Sequence, residues 1–600
     1  MENTEKTLKQ REDISLEDKW KLEDMYATDE AWEQDFQQLK ELTAKISRLR
    51  GTLDSPTGLL AALRLQDRLG ELNERIFVYA RMRRDEDNRS TKYQTLTDRA
   101  TGLSVEVHGA TAFIVPEILT IPEDRLTSFY AEEEDLELYR QALSEITRMR
   151  PHVLSASEEE LLARTGEMAQ APQNIFSMFN NADLKLPLIR DEQGQEVELT
   201  KGNYVLMLES QDRRVRKDAF EGMYRTYGDY QNTVAATLNA SVKKDVFFAR
   251  VRKYDSALGA SLDSDNVPTA VYDNLIATVR ANLAPLHRYL ALRKRALGLD
   301  ELHMYDLYTP IVQDSEFKIT YPEALQRVAE GLTPLGQEYV AVLQEGFNNR
   351  WIDVRENQGK TSGAYCWGAY GTHPFVLLNW HDNINNLFTV AHEMGHALHS
   401  FYSDREQPYV YAGYKIFVAE VASTVNESLL IDYMLNRTAD KKEKLYLLNH
   451  YLEEFRGTVY RQTMFAEFEK IIHAKVEAGE ALTTETLNET YHELNEAYYG
   501  SEVVVDEDIR LEWARIPHFY TNFYVYKYAT GFSAATTLSQ QILREGEPAV
   551  QRYLEFLKGG SSDYPINLLR RAGVDMAKPE PVQEALRVFA KVVDEMEELL

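Results

Sequence analysis

Along most of the chain, apolar residues recur every three to four positions between charged ones, the spacing of one buried face on an α-helix. Charged, Leu-rich stretches of this kind fill residues 30 to 170, with no linker rich in Pro, Gly or Ser. Ser157 and Glu160 form the S-x-x-E signature of a capping box, opening the helix SEEELLARTGEMA. Further helices are expected from residue 203 and again from the late 380s to Leu600. Two segments break the pattern. Leu186 to Thr200 (LPLIRDEQGQEVELT) predicts a β-hairpin turning at Glu192-Gln-Gly194. It marks the one plausible boundary, between an N-terminal helical region (1–195) and a larger catalytic remainder (196–600). The second break, residues 363–380, has Gly-spaced aromatics (GAYCWGAYG) followed by the β-prone run Pro374-Phe-Val-Leu-Leu-Asn379. The expected fold is mainly α with a small β-sheet.

One helical stretch carries chemistry. Residues 391–400 read AHEMGHALHS. His392 and His396, four apart, lie one turn apart on the same helix face, where two imidazoles can share one tetrahedral zinc ion. Glu393 is offset by roughly 100° around the helix, placing a general base beside a water on the metal without making it a ligand. An HExxH match arises by accident in about 2% of chains this long. Gly395, between the ligands, suits a helix that passes close to a metal or another backbone.

The third ligand sorts the class. A metzincin needs Gly at 399 and His at 402; this chain has His399 and Tyr402. A Glu-ligated zincin needs a carboxylate on a second helix, and FVAEVASTVNESLL (417–430) offers one. Phe417, Val421, Val425 and Leu429 make an apolar stripe; Glu420, Ser423, Thr424 and Glu427 make a polar one. Glu420 is expected as the ligand and Glu427 as a carboxylate orienting an imidazole. His399, seven after His392, is a rival ligand, more readily a supporting histidine. Upstream, the 363–380 segment can form a strand edge and loop against which an extended peptide binds through main-chain hydrogen bonds. Gly368 and Tyr370 are its candidate contacts. A plain hairpin with Gly at its turns reads the same way.

Composition narrows the setting. The 67 basic against 96 acidic residues give a net charge of −29, which argues against nucleic acid and anionic membranes as partners. No apolar run approaches the ~18 residues of a membrane span. The charged N-terminus MENTEKTLKQRED does not read as a secretory signal. A single cysteine, Cys366, excludes internal disulfides and suits the cytoplasm. Oligomeric state is not legible.

HEMGHALHS, with Glu420 28 residues after His392, resembles the thimet-oligopeptidase-like zinc metallopeptidases, within them the oligoendopeptidase F group. The likeness covers nearly the whole chain: WKLEDMY from Trp20, KYDSALGASL from Lys253, the 363–380 segment, RIPHFYTNFYVYKYATGFSAA from Arg515, and SSDYPINLLRRAGVDM from Ser561. The resemblance implies a two-lobed helical shell around a deep channel with a zincin-type core, one zinc ion per chain, and short unfolded peptides cut at internal bonds. It also selects His518, which opens HFYTNFYVYKY. In the family a histidine followed by tyrosines donates hydrogen bonds to the tetrahedral intermediate and to substrate backbone. Tyr526 is the favoured tyrosine, with Tyr524, also a candidate substrate contact, and Tyr528 as alternatives. Without the family, such a stripe reads as core packing or as a strand. Two other readings stand beside the endopeptidase: a zinc exopeptidase of the same fold, and a non-catalytic helical scaffold.

Overall fold

The computed structural model of the chain describes residues 8–312 and 317–600. Helices dominate, from Asp29–Ile46 to Glu580–Leu599, and the strands are short. The last helix illustrates why. Val582, Leu586, Phe589, Val593 and Met596, at steps of three and four, are buried along one side. Full burial of each such side chain contributes about 1.5–3 kcal/mol. The capping box falls two residues earlier than expected. Ser155 accepts the Glu158 N–H, and the Glu158 carboxylate accepts the Ser155 N–H, so the helix is Ala156–Arg164 with Ser157 inside its first turn. Both serines have a Glu three residues on; the earlier pair prevails because it adds hydrogen-bonded helix.

The hairpin forms between Leu188–Arg190 and Glu196–Glu198, with Gly194 at φ 78° in the turn. The Asp191 carboxylate accepts the N–H groups of Gln193 and Gln195 there. The compact units do not divide at this hairpin. One comprises Met1–Pro151, Phe317–Tyr433 and Leu538–Gly573; the other comprises His152–Glu316, Met434–Thr537 and Val574–Leu600. Each unit is assembled from distant segments, which a single break in periodicity could not reveal.

In the first unit the helices Asp29–Ile46, Pro56–Glu86 and Thr91–Thr111 pack together. Their core, including Trp20, Trp32, Phe36 and Leu72, runs on to Phe375 and Leu377. Those two residues belong to a three-stranded sheet: central Phe375–Leu377 is parallel to Ile352–Asp353 and antiparallel to Tyr365–Trp367. Asp353, fully buried, accepts from Arg11 and from Lys360 Nζ at 2.7 Å, so the early chain is tied to the sheet by a paired buried charge. Trp20 joins it, its indole donating to Glu86 at 2.7 Å.

The second unit holds the helices Arg213–Asp229, Gln231–Val251, Arg461–Glu477 and Thr484–Tyr499, and a parallel pair, Leu302–His303 with Val503–Val504. Glu512 accepts from Arg461, Arg515 and Tyr491 at 2.6 Å each. Burial opposes its charge, yet the two guanidinium groups hold it at about 2. This ionic knot anchors the segment leading to His518. Among the described residues no single helix is long and apolar enough to cross a membrane.

Candidate metal centre

Asn383 caps the helix Ile384–Glu406, its side chain accepting the Asn386 N–H at 2.8 Å. That helix buries Leu387, Phe388, Val390, Ala391, Met394 and Leu398, leaving His392 and His396 on a half-buried face with ring centroids 4.9 Å apart. The helix Ile416–Arg437 packs against it at Gly395. A Cβ at Gly395 would stand 2.5 Å from the Ser423 Cα and 2.7 Å from the Ala422 carbonyl oxygen, so only a hydrogen fits. Asn426, fully buried and singled out by no sequence pattern, bolts the pair by donating to the Ala391 carbonyl at 3.0 Å. Its position on the helix already assigned to Glu420 was the available signal.

This close approach delivers Glu420. Its Oε2 lies 3.3 Å from His392 Nε2 and 3.4 Å from His396 Nε2. One ligand atom from each of the three lies within 4.8 Å of the others, the sole such group among the described residues. Two imidazoles and a carboxylate fit a zinc ion with a position left for water. Hydrogen bonds from His392 and then His396 hold Glu420 below the usual carboxylate range. Glu427 Oε2 sits 3.3 Å from His392 Nδ1, the opposite side of that ring. Burial disfavours charge on His392, but Glu427 and Glu420 carry its pKa well above the ordinary imidazole value. Glu393 is 7% exposed, and burial raises its carboxyl above the usual range against the pull of His392 and His396.

His399 does not join this cluster. It is buried and stacked on Tyr414 at 3.7 Å, and burial lowers it to about 3, so it stays a neutral packing residue. Periodicity put it on the right side of the helix but could not foresee the tyrosine that covers it.

Tyr365–Trp367 is an edge strand with no partner beyond it among the described residues, and it packs against the histidine-bearing helix. Gly368 follows directly; a Cβ there would meet the Pro374 Cα at 3.3 Å. Tyr370 differs from expectation, because its hydroxyl already donates to the Gln407 carbonyl at 2.9 Å. Its ring helps wall a cavity of about 650 Å³ with Cys366, Gly368, Asp404, Tyr409 and Tyr414.

His518 lies in the second unit on an exposed turn after Pro517. Partial burial, helped by Arg461, lowers its pKa below the ordinary value. Its ring lies 6.0 Å from both Tyr524 and Tyr528, and its Nε2 is 3.5 Å from the Tyr528 hydroxyl. Tyr526 must be corrected. It is 1% exposed and packs on Tyr272 at 5.1 Å, in the core and away from this group. Tyr524 precedes the helix that starts at Tyr526, yet its ring lies 5.5 Å from that of Tyr528 in the first turn, so these two, and not Tyr526, gather at His518.

A histidine pair and a glutamate gathered by crossing helices, with a buried carboxyl one residue along, make this a metallopeptidase of mainly α fold. Its relatives agree. Residues 206–588 match Peptidase family M3 and residues 117–185 match Oligopeptidase F, the two meeting across the hairpin. The chain belongs to peptidase family M3, as a metallo-oligopeptidase that hydrolyses internal peptide bonds. It is 54% identical to Oligopeptidase PepF of Bacillus subtilis, over 99% of this chain and 89% of that one. The crystal structure of oligoendopeptidase-F from Enterococcus faecium is 40% identical with a TM-score of 0.74, covering 95% of this chain and 99% of its own. A solved chain from Chlamydophila abortus is 34% identical with a TM-score of 0.94, covering 99% and 100%.

Proposed function

We propose that His392, His396 and Glu420 hold one zinc ion per chain, and that Glu393 is the general base for cutting short unfolded peptides. The convergence of the three ligand atoms within 4.8 Å carries this reading. Bound there, zinc supplies Lewis acidity to a water and to the scissile carbonyl. Glu427, at His392 Nδ1, keeps Nε2 of that ring turned towards Glu420. Glu393 removes a proton from the attacking water and returns it to the leaving amine nitrogen. An extended peptide lies along the Tyr365–Trp367 edge, whose main-chain groups recognise any sequence that can be straightened. His518 and Tyr528, with Tyr524 beside them, donate to the oxyanion as it develops. The single cysteine and acidic balance support a reducing, cytoplasmic setting.

The test is a mixed peptide pool incubated with the protein, with and without chelator, and read by mass spectrometry. Internal cuts that vanish on chelation and return with zinc are expected. Cuts confined to terminal residues, or unaffected by chelation, would overturn the reading.

A further inference from the structure

Glu469, on the helix Arg461–Glu477, is fully buried and has no task in the chemistry above. Its Oε1 accepts the backbone N–H of Phe523 at 3.0 Å. Phe523 has φ +52°, a left-handed conformation that bulky residues rarely adopt, and is itself 1% exposed. Its ring is wedged between Tyr272, at 5.7 Å, and His473, at 4.4 Å. This one residue turns the chain between His518 and the helix that begins at Tyr526. The same loop is gripped twice more: Ser261 donates to the Asn522 carbonyl at 3.1 Å, and Lys527 pairs with Asp265 at 2.9 Å. Ser261 belongs to the KYDSALGASL stretch, which the reaction otherwise leaves unexplained.

We propose that Glu469 is a positioning residue, whose hold on the left-handed Phe523 sets Tyr524 and Tyr528 beside His518. The proposal rests on the reading of His518 and Tyr528 as donors. Without the acceptor, the buried Phe523 N–H is unpaired and nothing enforces its unfavourable φ. Relaxation to an ordinary φ rotates every residue that follows, Tyr524 first. The surroundings of Glu469 are polar but sparse. His473 Nδ1 donates to the Glu469 carbonyl at 2.8 Å, and His473 Nε2 lies 3.5 Å from Asp245 Oδ2. Lys244 Nζ lies 3.1 Å from Asp245 Oδ1. Burial, with Asp245 adding, raises Glu469 well above the carboxylate range, so a neutral acceptor is enough.

The experiment compares Glu469→Leu, Glu469→Gln and Tyr528→Phe, singly and as the double variant Glu469→Leu with Tyr528→Phe, in the zinc-loaded enzyme. Glu469→Leu should lower kcat by roughly 10²-fold with little change in KM, because the displaced groups act in the transition state. Glu469→Gln retains an acceptor and should keep kcat within about threefold of wild type. In the Tyr528→Phe background, Glu469→Leu should cost far less than it does alone. Hydrogen exchange at the Phe523 amide should accelerate in Glu469→Leu and not in Glu469→Gln. Normal kcat in Glu469→Leu while Tyr528→Phe is crippled overturns the proposal alone. So does a loss that multiplies fully in the double variant. Normal kcat in Tyr528→Phe overturns the donor reading as well. Should Glu469→Leu fail to fold, Ser261→Ala serves: faster Phe523 exchange with reduced kcat supports the cradle, and wild-type values of both overturn it.

Discussion

Replacing Gly395 by alanine sets two effects against each other. In a helix interior alanine is favoured over glycine by about 1 kcal/mol. The new methyl, however, would stand 2.5 Å from the Ser423 Cα, where carbon atoms settle at roughly 3.5–4.0 Å. The obstacle is backbone, not a side chain that could swing away, so the two helices must part by about 1 Å. Overpacking of this kind costs about 1–3 kcal/mol, so the net loss of stability is small, on the order of 1 kcal/mol. The metal centre is far less forgiving. Glu420 lies three residues before Ser423, while His392 and His396 flank Gly395, so separation of the helices pulls the carboxylate from both imidazoles. Ligand distances tolerate only about 0.2 Å. Gly395→Ala should therefore weaken zinc binding by at least about tenfold and lower kcat at saturating zinc by about 10²-fold. Chelator competition gives the first quantity and steady-state kinetics the second. Gly102→Ala is the control, since nothing lies within 4 Å of a Cβ there. A Gly395→Ala enzyme with wild-type zinc affinity and kcat would refute the argument that this close approach builds the site.

Glu393→Gln leaves all three ligands in place, so zinc content should be unchanged while kcat falls about 10³-fold; near-normal turnover would mean another group activates the water. Tyr528→Phe should lower kcat by about 10²-fold at similar KM, whereas Tyr526→Phe, in the core, should change kcat little; the reverse order would restore the first register. Asp404 supplies a pH test, because burial, with Glu74 adding, pushes it up to about 7. A carboxyl raised on folding contributes stability that is full below its unfolded value, near pH ~4, and lost as pH rises through its folded value. Asp404→Asn should therefore stabilise the protein at pH 8, by about 2 kcal/mol once water in the cavity is allowed for, with the gap closing towards pH 5. An equal effect on Tm at both pH values would contradict this.

The grouping of the candidate metal ligands was legible because each depends on spacing within one helix, and the chain writes that spacing directly. His392 and His396 needed only a turn of helix, and Glu420 only a second helix with an apolar face. Tyr526 was misread because its side of the helix depends on where the preceding loop ends. That end is decided by a left-handed phenylalanine, a residue type that gives no warning of such a backbone. His399 lies on the expected side of its helix, but Tyr414, which covers it, comes from the loop between Ala412 and Ile416. The two compact units were illegible for a related reason: they are made of contacts between segments hundreds of residues apart, and periodicity reports only neighbours.

The strand beside the histidine-bearing helix also carries the chain's single sulfhydryl. Burial, with Glu393 and then Asp404 adding their charge, raises Cys366 well above the ordinary thiol value. At neutral pH it therefore stays a thiol, and it is the thiolate that attacks alkylating agents and captures soft metals. The sulfur is half-exposed and lines the cavity beside Glu393, so its resistance to oxidation and to stray ions comes from staying protonated rather than from being covered. Once the sheet opens, the same atom becomes an ordinary cysteine. With no second cysteine to confuse the signal, its rate of labelling is a clock for the opening of the active-site wall.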